Sequence, residues 1–355
     1  MANKPLDEDA LKAFSYKIWS YKQGEMVAMM IHLGDRLGLY QSLDGAGAVS
    51  APDLAETTGY HSRWLLEWLK NQAAAGILEY HDGELFELTD IGSRVMAEDD
   101  SLEFATGAFG KPTDPAIIDK LADSFKTGLG LSYQDLGPSG AHGTERMLGP
   151  WTKYALPKIV PALDGLEDRL NGSSAIADVG CGAGLAIATL AELYPSAQCH
   201  GYDPSSHAID IANEKITDRG LSNLEFHVAG GEQLPTTPTY DFIITFDCMH
   251  DMARPDTVIE AIRRAIKPDG VWLIKDIRSH GDFQRDMRNP FLAMMYGFSI
   301  TACMSSAMST ADGLGLGTLG FNPDVVEEMT REGGFSQCIR HDFDDPSNFY
   351  YEVRI

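Results

Sequence analysis

The segment Ala177-Asp178-Val179-Gly180-Cys181-Gly182-Ala183-Gly184-Leu185 constrains this chain more than any other. The residues Ala175–Val179 read as a strand, and Leu185–Tyr194 reads as a helix that stops before Pro195. Glycines at alternate positions let the backbone turn sharply and approach a ligand with no Cβ in the way. A strand that ends in such a loop and opens a helix belongs at the ligand-binding edge of an open parallel sheet. A dinucleotide loop of the G-x-G-x-x-G type would need glycine at 185, where this chain has Leu. Nineteen residues past Gly184, Asp203 closes a second strand, where a carboxylate can accept both hydroxyls of a ribose.

The rest of the C-terminal half agrees. Apolar strands read at Gln198–Tyr202, Leu224–Val228, Phe242–Phe246 and Val271–Ile274, with helical stretches such as Thr257–Ile266 between them. Alternating strands and helices predict a parallel, doubly wound sheet. Ser336–Phe343 and Phe349–Ile355 flank Asp344-Asp345-Pro346 and predict an antiparallel strand pair.

The N-terminal half reads differently. The first 45 residues suggest two helices, and Met26, Met30, Leu33, Leu37 and Tyr40 recur at helical spacing as one apolar stripe, suited to core packing or a dimer interface. Ser50 can cap a short helix that stops at Gly59, and a second helix carries Trp64, Leu65, Trp68 and Leu69. Two short strands then flank His81-Asp82-Gly83, and Thr89-Asp90 opens another helix. Helix, helix and two-stranded wing form a winged-helix pattern. Between residues 51 and 100, however, three bases face eleven acids. Affinity for DNA depends on neutralising phosphates, so this wing is expected to be structural.

Composition narrows the partners. Across 355 residues the net charge is −24, which disfavours nucleic acid and anionic lipid. No apolar stretch approaches the ~20 residues of a membrane span. The polar first residues lack the apolar core of a secretory signal, so a cytoplasmic protein is expected. The five cysteines are scattered, without metal-ligand spacing, and no metal is expected. Residues 101–172 are glycine-rich. Their Tyr133, His142, Arg146, Trp151 and Tyr154 either roof a pocket or belong to a surface linker.

Asp178-x-Gly180-x-Gly182-x-Gly184, with Asp203 beyond it, resembles the class I S-adenosylmethionine-dependent methyltransferases. With the wing, the chain is similar to the small-molecule O-methyltransferases that carry an N-terminal winged-helix dimerisation domain. The resemblance implies a Rossmann-like α/β domain, with a mostly parallel seven-stranded sheet and an antiparallel C-terminal strand, behind a mainly helical winged-helix domain. The expected layout is a dimerisation domain over 1–125, a linker and substrate-pocket segment over 126–170, and a catalytic domain over 171–355. The cofactor, S-adenosylmethionine, would be held by Asp178, Gly180, Gly182, Gly184, Asp203, Gly231, Glu232, Phe246 and Asp247. Many relatives have Gly-Asp-Ala where this chain has Ala229-Gly230-Gly231, so contact to adenine would fall to backbone or to Glu232 and Gln233.

After the fourth strand comes Phe246-Asp247-Cys248-Met249-His250-Asp251-Met252, where the family often carries a His-Asp pair with the histidine as general base. An imidazole can take a hydroxyl proton near neutrality, and Asp251 or another acid could orient the ring. The plainer alternative is a histidine that caps a helix beside the cofactor. Met252 and Tyr296 join the candidate substrate residues, and the methionine-rich stretch Phe291–Met308 resembles the helices that roof such pockets. Three functions remain in play: methyl transfer to oxygen of a small molecule, which is favoured; transfer to the sulfur of a thioether such as 4-methylthio-2-hydroxybutyrate, as in dimethylsulfoniopropionate synthesis; and a cofactor-sensing regulator that binds DNA. A homodimer through the N-terminal helices is expected.

Overall fold

The computed structural model describes residues 6–110 and 113–355, apart from the side chains of 138–144 and of Asp218. The chain divides into two compact units at the 112/113 boundary, earlier than the expected division at 125. The segment 126–170, expected as a linker, belongs to the second unit.

Two helices fall within the first 45 residues, as expected: the short Leu39–Leu43 and, before it, the long Glu8–Arg36. Asp7 caps the long helix by accepting from the N–H groups of Asp9 and Ala10. Trp68 packs against this helix at Gly34, where a Cβ would stand 2.5 Å from the indole, and donates from Nε1 to the Met30 carbonyl at 2.9 Å. Tyr40, in the short helix Leu39–Leu43, is fully buried and donates to Gln72 at 2.6 Å. Helices Ala51–Thr58 and Ser62–Ala74 follow, the first opened by the Ser50–Asp53 capping box and closed by Gly59. Strands β1 (Glu79–His81) and β2 (Leu85–Glu87) pair antiparallel, and Phe86 also bridges to Val49. The turn between them has Gly83 and Glu84 at positive φ. This is a winged helix. Of its two helical tryptophans only Trp68 packs in the core; Trp64 is 79% exposed.

The second unit is built on strands β3 (Ala175–Val179), β4 (Gln198–Asp203), β5 (Leu224–Val228), β6 (Tyr240–Phe246), β7 (Ile266–Ile277), β8 (Gln337–His341) and β9 (Asn348–Arg354). Their order is β5-β4-β3-β6-β7-β9-β8, parallel except where β9 runs against β7 and β8. Helices Leu185–Leu193 and Leu166–Leu170 pack on one face of this sheet, and Pro255–Ala265 and Pro323–Glu332 on the other. The sequence explains the burial: Phe242, Ile243, Ile244, Val271, Trp272, Leu273 and Ile274 are apolar on consecutive positions and buried on both faces. Strand order reverses between β3's two neighbours, β4 and β6, so their C-terminal ends open a crevice.

Candidate active site

A cavity of about 690 Å³ occupies that crevice. Its floor at one end is the glycine loop. The N–H groups of Gly180 and Cys181 both donate to the Tyr202 carbonyl, at 2.8 and 3.1 Å, which folds the loop back onto β4. Gly180 has φ +78, and a Cβ there would meet Cys248 Sγ at 2.7 Å. Gly184 has φ +77 and abuts the Phe226 ring. Gly182, at φ +53, is different: nothing lies within 4 Å of the place a Cβ would take. It lines the cavity with its backbone bare.

Asp203 stands beside the loop. Its Oδ2 accepts from Gly182 N–H at 2.9 Å and its Oδ1 from Ser205 N–H at 2.8 Å. Each oxygen keeps a further lone pair, so a ligand diol can be held by an acceptor already fixed in direction. Burial pushes the Asp203 carboxyl up, against the pull of those two N–H groups. Burial, reinforced by the Asp203 charge, pushes Asp178 up to about 8. Gly230, Gly231 and Glu232 line the same end of the cavity.

The other end is polar and dense. Asp247 sits at the tip of β6 with φ +52, a left-handed conformation uncommon outside glycine. Its carboxylate accepts from Lys275 and from Asn348, and its N–H donates to the Lys275 carbonyl at 2.7 Å. Lys275 Nζ lies 4.5 Å from the centre of the Trp151 ring. Burial pushes Asp247 up, with Lys275 acting against it. The Asp247 carboxylate, expected to serve the cofactor, is thus engaged by two partners that sequence reasoning did not single out.

His250 is 2% exposed, and its Nδ1 lies 2.6 Å from Asp276 Oδ1 at the end of β7. The acid that orients the ring is Asp276 rather than the neighbouring Asp251. Burial works against a charged ring, yet Asp276, with smaller help from Cys303 and Asp251, outweighs it and holds the imidazole well above its ordinary range. Asp276 Oδ2 is buried with no hydrogen-bond partner among the described residues. Asp251 instead meets the Tyr133 hydroxyl, which also contacts Cys303. Burial lifts Asp251 to about 7, offset in part by His250 and Tyr133. Cys303 ends a π-helical turn, Ser299–Cys303, within the roofing segment; such turns recur at functional sites.

Of the expected residues, Asp178, Gly180, Gly182, Asp203, Gly231, Glu232, Phe246, Asp247, Asp251, Met252, Tyr133 and Trp151 line the cavity. His250 and Gly184 stand behind the wall, and Arg146 and Tyr154 are not among the lining residues. The His142 side chain lies outside the described residues. Tyr296 faces a separate depression of about 490 Å³ with Phe283 and Met287. The roof is also not the expected methionine surface. From that segment the cavity lining takes Ser306, and just beyond it Ser309, Thr310 and Asp312, while Met294 and Met304 stay exposed. Sequence reasoning missed Gln134, whose Oε1 accepts from Ser205 Oγ at 3.2 Å. It also missed Arg254, held by Asp256 and Asp312 at the cavity wall. Lys275 and Asp276 had one usable signal: they end a strand beside the crevice.

A nucleotide-sized cavity at the switch point of this sheet order defines the class I methyltransferase fold. The comparisons agree: residues 170–332 match the family model for a methyltransferase domain, and residues 25–90 match that for an Rv2258c-like winged HTH domain. Residues 170–332 are thus similar to a methyltransferase domain, and residues 25–90, earlier in the chain, to a winged helix.

Among solved structures, the human N-acetylserotonin methyltransferase in complex with S-adenosylmethionine aligns with a TM-score of 0.68 at 16% identity, covering 100% of this chain and 99% of that one. An O-methyltransferase family protein from Burkholderia thailandensis aligns with a TM-score of 0.66 at 16% identity, covering 99% of each chain. Among curated proteins, the ubiquinone biosynthesis O-methyltransferase of Paraburkholderia xenovorans is 27% identical over 107 residues, 30% of this chain and 44% of that protein. The chain spans between 34% and 48% of the length of the first three curated relatives it matches.

Proposed function

We propose that this chain is an S-adenosylmethionine-dependent methyltransferase acting on a small molecule, with oxygen as the favoured acceptor. The observation that carries the reading is one cavity that joins the open backbone of Gly182 and the doubly anchored Asp203 to the acid Asp251. The sulfonium cofactor supplies an electrophilic methyl group. Asp203 would accept from its ribose hydroxyls, and the bare Gly182 backbone leaves room for its close approach. Trp151 and Phe246, packed edge to face at 5.1 Å, offer ring surfaces to a cationic centre.

The proton of a hydroxyl acceptor has two candidate destinations. His250 is enclosed and stands outside the cavity lining, and against the downward push of burial Asp276 holds its imidazole well above the ordinary range. Asp251 lines the cavity and is poised at about 7, close to where a general base works best. Within the His250–Asp251 pair, Asp251 takes the proton, while His250, fixed by Asp276, holds the wall behind it. His250 as the base itself is the competing assignment, and a thioether acceptor would need neither. The carboxylate variant Asp251→Asn and the histidine variant His250→Gln separate the assignments through their pH profiles. A screen of hydroxy, thiol and thioether compounds for S-adenosylhomocysteine release tests the whole reading. Binding of NAD with no affinity for S-adenosylmethionine would sink it.

A homodimer through the first helix belongs to the same proposal. Of the expected stripe Tyr40 is buried and Met30 packs against the core, while Met26, Leu33 and Leu37 stay exposed. The free apolar surface continues from them to the earlier turns of the helix, at Leu11, Phe14, Ile18, Trp19 (70% exposed) and Tyr21. A two-fold contact would cover that exposed apolar face with its own copy. Light scattering of wild type and of Trp19→Glu is the test: a dimer that the substitution weakens is expected, and a wild-type monomer at micromolar concentration refutes it.

A further inference from the structure

Strands β4 and β5 carry a second group of side chains outside the cavity. Their parallel register aligns His200 with Glu225 and Tyr202 with His227. Alternation along each strand puts all four on one face of the sheet. His200 Nδ1 and His227 Nε2 point at each other across 3.2 Å. The Glu225 carboxylate joins them, so that one ligand atom from each residue lies within 4.8 Å of the others.

Two imidazole lone pairs facing each other at this distance repel unless a positive centre lies between them. A proton on one ring provides that centre in the metal-free protein. A cation can take its place. Bonds of about 2.0–2.1 Å from two histidines to tetrahedral zinc put the nitrogens about 3.3 Å apart. The rings already stand near that separation and are held there. His227 stacks on Tyr202 with centroids 4.6 Å apart, His200 meets Tyr240 edge-on at 5.8 Å, and the two tyrosine hydroxyls are bonded at 2.7 Å. Both histidines are half-buried while Glu225 is exposed, which leaves a solvent side from which an ion can enter and a water can complete the coordination.

We propose that His200, Glu225 and His227 form a binding site for a divalent transition-metal cation of the zinc type. Two imidazoles and one carboxylate suit zinc or cobalt rather than magnesium or calcium, which prefer oxygen ligands throughout. None of the three residues lines the cavity, so the ion has a structural role. It fastens the edge strand β5 to β4. The Tyr202 carbonyl that anchors the glycine loop, and Asp203 after it, follow His200 along the same strand. The site is independent of whether the chain transfers methyl groups.

The test uses tag-free, chelator-stripped full chain. Titration with Co²⁺, followed by visible absorption, is expected to show one equivalent bound in a low-symmetry, four-coordinate environment and displaced by Zn²⁺. Zinc is expected to raise the melting temperature, since an ion that binds only the folded state stabilises it. His200→Ala and His227→Ala should each abolish the one-equivalent binding, and Glu225→Gln, at an exposed position, should weaken it without risk to the fold. Circular dichroism checks folding of every variant. Two outcomes overturn the proposal: adventitious surface binding only, or one-equivalent binding that survives in all three variants.

Discussion

The two ends of the cavity are built on opposite plans. The cofactor end comes from one stretch of chain, β3 to β4, and its working groups are backbone N–H groups, bare glycines and the single carboxylate of Asp203. The acceptor end is gathered from Tyr133, Asp251, Asp276 and Cys303, far apart in sequence, and its working groups are side chains that set one another's charge. A site made of backbone is legible as a local pattern and tolerates change around it. A site made of mutual side-chain electrostatics is not local, and its pieces should fail together.

Asp251→Asn is expected to produce the largest effect, because it removes the proposed proton acceptor while keeping shape. With a hydroxyl substrate, turnover should fall by ~10²–10⁴-fold while cofactor affinity barely moves. An unchanged turnover would break the contrast by showing that the acid at this end is structural. Asp203→Ala should do the reverse at the other end. Losing hydrogen bonds from ribose to a charged group weakens S-adenosylhomocysteine binding by on the order of 3 kcal/mol, roughly a hundredfold. Calorimetry reads this directly, and an unaltered affinity would show that the family role of this carboxylate does not carry over.

The pH profile sharpens the contrast further. A base poised at about 7 is active when deprotonated, so turnover on a hydroxyl acceptor should climb as pH rises through that value. The climb should vanish in Asp251→Asn, and a profile that persists there points to His250 instead. A thioether acceptor predicts no such climb in wild type.

The last effect bears on stability at the cofactor end, not on turnover. Asp178 is held up at about 8, above the ordinary carboxylate value of about 4, so the folded chain binds this proton more tightly than the unfolded chain. Stability from this group is complete below pH ~4 and is lost as pH climbs towards about 8. Melting temperatures of the ligand-free protein should therefore drop across that window, and less steeply in Asp178→Asn.

Much of the fold was legible in local patterns. Alternating apolar strands and helices specified the doubly wound sheet, and the Ser50–Asp53 box, Gly59 and the Asp-Gly wing specified the winged helix, because each depends on neighbours a few residues away. The same locality made the glycine loop and Asp203 readable. Two helices lie within the first 45 residues as expected, but the first runs unbroken to Arg36, and only the full 29-residue element shows which apolar residues remain uncovered. Trp64 and Trp68 look alike in sequence, yet one is exposed and the other fills the space that Gly34 leaves.

Sequence alone determined that residues 175–203 make a strand, a glycine turn, a helix and a terminal acid, because backbone conformation there follows from residues in succession. Tertiary structure alone decided that His250 pairs with Asp276, that Asp247 is claimed by Lys275 and Asn348, and that Tyr133 arrives beside Asp251. Those pairings set the protonation states on which the chemistry depends. A pKa is fixed by charge and burial at distances of a few ångströms, and residues separated by a hundred or more positions come that close only once the sheet has formed.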